Sequence, residues 1–251
     1  MISALAAAGW GLFAGAALVI GAAIAWFVDV PAKVVGSVMA FGSGVLISAV
    51  AFELFDEAAH TGGLWPAVVG FAFGAVVYMI ANLALAHFGA RHRKRSQRQQ
   101  PSKEDQGGSG LAIAIGALLD GVPESVVLGV SLLSGGGVST AVVAAVFISN
   151  LPEGLSSAAG MKKAGRGPGY VFGVWGSIAL ISALSAAAGY LLLGAASPAV
   201  IAAITAIAGG AILTMIADTM IPEAFEITHA WTGLITSAGF LLAAAISWIG
   251  G

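Results

Sequence analysis

Eight apolar runs, each long enough to cross a lipid bilayer, fill almost the whole of this chain. A spanning helix needs about 20 mostly apolar residues. The runs cover roughly 3–28, 32–57, 64–89, 110–133, 138–162, 168–194, 198–224 and 229–250. Breakers separate them: Val30-Pro31, Thr61-Gly62-Gly63, Ser134-Gly135-Gly136-Gly137, the stretch from Gly165 to Gly169, and Ser197-Pro198. The runs are continuous rather than alternating, which argues for helices and against a β-barrel. Only 9% of the 251 residues are charged, 59% are hydrophobic, and the mean hydropathy is +0.97. Soluble domains carry about 25% charge, so lipid is the expected solvent. The expectation is therefore an all-α integral membrane protein with eight transmembrane helices in a single domain, residues 1–251. Thirty-six glycines embedded in Val/Ile/Leu/Ala runs suit close helix contacts in a membrane.

The one long hydrophilic stretch, 91–109, holds Arg91, Arg93, Lys94, Arg95, Arg98 and Lys103. With eight alternating spans, those six cations, Lys33, and Lys162, Lys163 and Arg166 all fall on one side. The positive-inside rule makes that side cytoplasmic, leaving both termini extracytoplasmic. Juxtamembrane basic loops are ordinary topology signals, so no nucleic-acid partner is expected. The N-terminus lacks the basic region of a cleaved signal and reads as the first span. The absence of cysteine excludes disulfides and thiolate ligands.

Acids inside the spans carry the chemistry. Two half-matching stretches, Asp120-Gly121-Val122-Pro123-Glu124-Ser125 and Ser149-Asn150-Leu151-Pro152-Glu153-Gly154, sit mid-span in the fourth and fifth runs. Ionisable groups at that depth are costly and face a cavity, a partner or an ion path. Asp120 and Glu124 share a helix face, as do Ser149 and Glu153. Pro123 and Pro152 cannot donate to the carbonyls of Leu119 and Ile148, which leaves those oxygens for a cation or water. Carboxylates clustered in this way repel one another, and a divalent cation removes that penalty. An all-oxygen set suits hard cations, and none of His60, His87, His92 and His229 falls within it. Asp218 lies deep enough in the seventh run to join. Glu53, Asp56, Glu57 and His60 form an acidic group at the outer end of the second, readable as a cation entrance or as a solvated helix end. Glu223, after Pro222, reads as an exit or helix-end carboxylate. The plainer alternative for all these acids is hydrogen bonding between helices.

With those residues in place the chain resembles the ZIP (Zrt/Irt-like) family of divalent-metal transporters, closest to its bacterial branch. The resemblance rests on Asn150-Leu151-Pro152-Glu153-Gly154, on Ala51-Phe52-Glu53-Leu54-Phe55-Asp56-Glu57-Ala58 and on Asp218-Thr219-Met220-Ile221-Pro222-Glu223. It implies a 3+2+3 helix bundle in the cytoplasmic (inner) membrane, often a homodimer. It also implies a paired metal site between the fourth and fifth helices, and metal entry into the cytosol by alternating access. Asp120, Glu124, Ser149, Asn150 and Glu153 then occupy ligand places, with Asp218 as an addition. Zn, Mn, Fe or Cd would be substrate, with no prosthetic group and no enzymatic activity. The fourth-helix motif departs from the family, with Asp120-Gly121 where members carry His-Asn and Ser125 where Gly is usual. Ser149 replaces a ligand-type residue, and Thr219 follows Asp218 where a second acid is common. Two other functions stay open: a ZIP-like relative that moves a proton or organic solute or only senses metal, and an intramembrane aspartyl protease using Asp120 and Asp218. The second lacks the usual Gly-x-Gly-Asp context, since Asp120 follows Ala117-Leu118-Leu119.

Overall fold

The computed structural model describes residues 2–87, 109–134 and 140–250, and these are almost entirely helical. Ser109 apart, the basic loop at 91–109 lies outside the described residues. Among the described residues the helices fall into eight rods. They are α1 (Ile2–Phe27), α2 (Ala32–Gly62), α3 (Leu64–His87), α4 (Ser109–Ser131), α5 (Thr140–Lys163), α6 (Pro168–Leu193), α7 (198–228) and α8 (Thr232–Gly250). Several are long and apolar enough to cross a bilayer, the length and composition of a multi-pass membrane protein. Leu192, Trp248 and Ile249 are among the large apolar side chains on the outside of the bundle.

Proline and glycine punctuate the rods. Pro168 and Pro198 sit in the first turns of α6 and α7, where a missing N–H costs nothing. Gly63, at φ +96°, makes the α2–α3 turn that a side chain would strain. His229, at φ 50°, breaks α7 from α8. Two rods change pitch part-way. α2 carries a π turn at Val50–Phe55, and α7 carries one at Ile216–Met220. Pro222 follows the second, and the wider turn gives its ring room. No proline accounts for the first.

The two π turns belong to a larger pattern. The ends of α1, the ends of α2 and the start of its π turn all reappear 166 residues later, in α6 and α7 (Ile2 to Pro168, Ala32 to Pro198, Val50 to Ile216). The same shift pairs identical residues: Gly44 with Gly210, Ala51 with Ala217, Glu57 with Glu223, Ala58 with Ala224, and Trp65 with Trp231. The copies run in opposite directions. Gly11 meets Ser182 and Gly15 meets Ala179, so α1 and α6 are antiparallel. Gly36 meets Ile227 while Gly62 meets Ala202, so α2 and α7 are antiparallel too. The first three and last three helices thus form an inverted repeat around α4 and α5.

Packing divides into two bodies. α1 lies against α5 and α6, and α4 against α6; α2 lies against α7 and α8, and α3 against α7. The bodies meet chiefly where α2 touches α5 and α4 touches α7. α4 and α5, expected as direct antiparallel neighbours, touch each other only sparingly. Each makes its main contacts with other helices, because the small residues that allow close approach point there. Gly129 of α4 lies on the backbone of Ala186, and Gly154 of α5 on that of Leu18.

Candidate functional site

Among the described residues four carboxylates are buried: Asp120 (2% exposed) and Glu124 (2%) on α4, Glu153 (4%) on α5 and Glu223 (3%) on α7. Ser149 and Asn150 are buried beside them in sequence. α4 and α5 run through these residues unbroken, with Pro123 and Pro152 inside the helices. The described basic residues Lys33, Lys162, Lys163 and Arg166 all lie at or beyond helix ends. The lysine at the end of α5 fixes which ends coincide. Lys162 Nζ donates to Trp26 O at 2.9 Å and lies 3.4 Å from Asp29 Oδ1. Hence α1 and α5 finish at one basic end, and the opposite, acidic end carries Glu53, Asp56 and Glu57.

The acids occupy a layer bracketed by apolar packing. Toward the acidic end, Val127 and Leu128 of α4 share a core cluster with Val142, Val143 and Val146 of α5. Toward the basic end, Ala117 of α4 shares another with Leu155, Ala158 and Met161 of α5. Asp120 and Glu124 fall between these contacts on α4, and Ser149, Asn150 and Glu153 fall between them on α5. Glu124 precedes Leu128 by four residues and Val146 precedes Glu153 by seven, so each acid shares the helix face of its cluster residue.

Hydrogen bonds tie this layer to the surrounding helices. Tyr78 Oη of α3 donates to Asp120 Oδ1 at 2.5 Å. Asn150 Nδ2 donates to Ala14 O of α1 at 3.0 Å. Ser156 Oγ donates to Glu223 Oε1 at 3.4 Å. Ser125 and Ser149 bond back to carbonyls of their own helices, Gly121 O at 2.7 Å and Val146 O at 2.9 Å. Asp120 and Asn150 therefore do bridge helices, the plainer role that such groups can fill. Asp218 is exposed on the α7 π turn and stands apart from the buried layer, because the extra residue of that turn directs Met220 and Glu223 inward instead. A buried Asp120 with an exposed Asp218 is not the arrangement of two acids sharing a proton, as a protease needs. Among the described residues no three His, Asp or Glu side chains gather closely enough to hold a metal ion. Any cation held here would draw on Asn150, Ser149, backbone carbonyls or water as well as on acids.

Cavities open at both ends. One of about 140 Å³ at the acidic end is lined by Glu53, Glu57, Thr61, Val127, Val142 and Thr205 among others. Ser247 Oγ donates to Glu53 there. Asp56 and His60, four residues apart, are exposed, with 3.5 Å between Nδ1 and Oδ1. One of about 280 Å³ at the basic end is lined by Ala25, Asp29, Val35, Ala159, Lys162 and Lys163. The two are related by the repeat. Ala32 and Val35 in one match Pro198 and Ile201 in the other. Aligning the two Pro-Glu pairs likewise matches Ala159 with Val130. The halves differ where α2 and α4 of one match α7 and α5 of the other. Glu57 and Val127 both line the acidic-end cavity, whereas their mates Glu223 and Ser156 are buried and hydrogen-bonded together.

Sequence reasoning missed Tyr78, Ser156 and Ser157. Ser149, Glu153, Ser156 and Ser157 recur at helical spacing along α5, a signal visible in the sequence. Tyr78 had only the weaker signal of a phenol among Val76, Val77, Met79 and Ile80. No protein-family model matches the chain, and no curated protein matches it significantly.

Proposed function

We propose that this protein carries divalent metal cations across the membrane by alternating access. The observation that supports this most is the buried carboxylate layer, set between two apolar clusters, with a cavity beyond each, in an inverted repeat. Carriers built from inverted repeats hold their substrate near mid-membrane at the repeat interface and expose it to each side in turn. A buried ionised acid needs a counter-charge or a proton, and a divalent cation answers several acids at once. In this reading Glu124 and Glu153 are the principal ligands, and Asp120, Asn150 and Ser149 complete the shell. Glu53 and Glu57 attract the ion at the acidic, extracytoplasmic end, and Ser156, Ser157 and Glu223 pass it toward the basic, cytoplasmic end. Zinc and its relatives Mn, Fe and Cd are the substrates to try, entering the cell as in the ZIP family that the motifs resemble.

That no trio of acids gathers among the described residues favours a second reading, in which the layer moves protons or another solute. Uptake of Zn, Mn, Fe and Cd into liposomes holding the purified protein separates the two. Saturable uptake of at least one metal, lost in Glu153→Gln, supports the metal carrier. Folded protein that takes up no divalent cation overturns it.

A further inference from the structure

The mechanism just described leaves one buried polar group of α3 without a task. α3 turns most of its surface outward, yet Tyr78 is 1% exposed and sits within the main apolar cluster. Its hydroxyl reaches across from one body of helices to the other and donates to Asp120 Oδ1 at 2.5 Å. A phenol in such surroundings needs a partner for its O–H, and a carboxylate is the strongest acceptor it could meet.

We infer that Tyr78 is a positioning residue that limits Asp120 to one-oxygen ligation and so sets the site against large, many-coordinate cations such as Ca²⁺. This rests on the metal reading of the site. Ca²⁺ takes six to eight oxygen ligands and is often chelated by both oxygens of a carboxylate. A phenol proton on Oδ1 competes with the cation for that oxygen and holds the carboxyl plane in one orientation. The smaller transition cations accept fewer ligands and fixed geometry, so a single oxygen from Asp120 serves them. The inverted repeat sharpens the point. The position equivalent to Asp120 on α5 is Ser149, and the position equivalent to Tyr78 on α8 is Ala244, so the pair belongs to one half alone.

The test is displacement of bound Zn²⁺ by Ca²⁺ on the purified full chain, in wild type, Tyr78→Phe, Asp120→Asn and the double variant. Phenylalanine keeps the ring and removes only the hydroxyl. Tyr78→Phe should need about tenfold less Ca²⁺ for the same displacement, the scale of one hydrogen bond to a charged group. In the Asp120→Asn background the same change should do nothing. Infrared difference spectra of the wild type on Zn²⁺ binding give a second measure that needs no Tyr78 variant. The Asp120 carboxylate bands, assigned by their loss in Asp120→Asn, should show the wide splitting of one-oxygen ligation. A Tyr78→Phe curve lying on that of wild type, an effect that persists in Asp120→Asn, or a narrow two-oxygen splitting overturns this inference alone. A wild type that binds neither ion overturns the metal reading and this inference with it.

Discussion

A methyl group at Gly154 should loosen the protein by driving α1 and α5 apart. A Cβ built there would lie 2.2 Å from Leu18 O and 2.8 Å from Leu18 C and Cα, where ordinary contact is 3.4–4 Å. Every one of those atoms is backbone, so no side chain can turn aside. Gly21 makes the reciprocal contact, with Leu151 O at 2.2 Å from its would-be Cβ, so the crossing is closed from both directions. α1 must retreat by about 1 Å, an overpacking cost of about 1–3 kcal/mol. The Asn150 bond to Ala14 O, 3.0 Å long, lies in the same crossing and would stretch toward breaking; a lost hydrogen bond adds about 1 kcal/mol. For a chain of this size each kcal/mol lowers Tm by about 2–4 °C, so the summed cost of about 2–4 kcal/mol should lower the Tm of Gly154→Ala by about 4–16 °C. Gly173→Ala on α6 is the control, since nothing lies within 4 Å of its Cβ position. The assay is thermal unfolding in detergent, followed by tryptophan fluorescence at one scan rate because unfolding of such proteins is often irreversible. A Gly154→Ala Tm within about 1 °C of both wild type and Gly173→Ala would refute the packing argument.

Three further outcomes follow from the site. Glu124→Gln and Glu153→Gln should each cut metal uptake by about tenfold or more while the protein still folds, since glutamine keeps the side-chain shape and removes only the carboxylate; radiolabelled uptake and thermal unfolding read the two effects. Asp218→Asn should leave uptake within about twofold of wild type, as expected of an exposed side chain, and a loss as large as that of Glu153→Gln would return Asp218 to the site. Lys162→Met removes the donor to Trp26 O and the ion pair with Asp29, but the lysine side chain is 37% exposed. Its loss should therefore cost less than about 1 kcal/mol, seen as a small shift in the same unfolding assay.

The rods were legible in the chain because membrane helices announce themselves by length and by proline and glycine breaks. Pro31, Gly63, Pro168 and Pro198 all mark helix ends or the turns between them. The buried acids were legible too, since Asp120, Glu124 and Glu153 stand out against apolar neighbours. Neighbour choice was not. A short loop suggests that α4 and α5 lie side by side, yet backbone contacts at Gly129 and Gly154 send each to a different partner. The π turns were equally hidden, because a one-residue change of pitch leaves no compositional trace. One such turn faces Glu223 inward and leaves Asp218 exposed. The inverted repeat could have been found from the 166-residue shift, but few of its paired residues are identical and most are only similar in kind.

That repeat carries the strongest statement about motion. Two copies of one hairpin, inserted in opposite directions, can exchange conformations, and the exchange turns a pathway open at one end into one open at the other. Ala58 and Ala224 are repeat mates with the same side chain and both are buried, but Ala58 lines the acidic-end cavity while Ala224 lines neither cavity. The chain has no cysteine, so single Ala58→Cys and Ala224→Cys variants carry one thiol each. In the state described, a membrane-impermeant thiol reagent should label Ala58→Cys, through the cavity at the acidic end, faster than it labels Ala224→Cys. Ser156→Ala removes the hydroxyl that donates to Glu223 and has no equivalent at Val127. Added to each thiol variant, it should speed labelling of Ala224→Cys from the basic end and slow that of Ala58→Cys. Opposed changes mark two gates that alternate. If both thiols label together, at rates that rise together, the pathway is a continuous pore and the exchange argument fails.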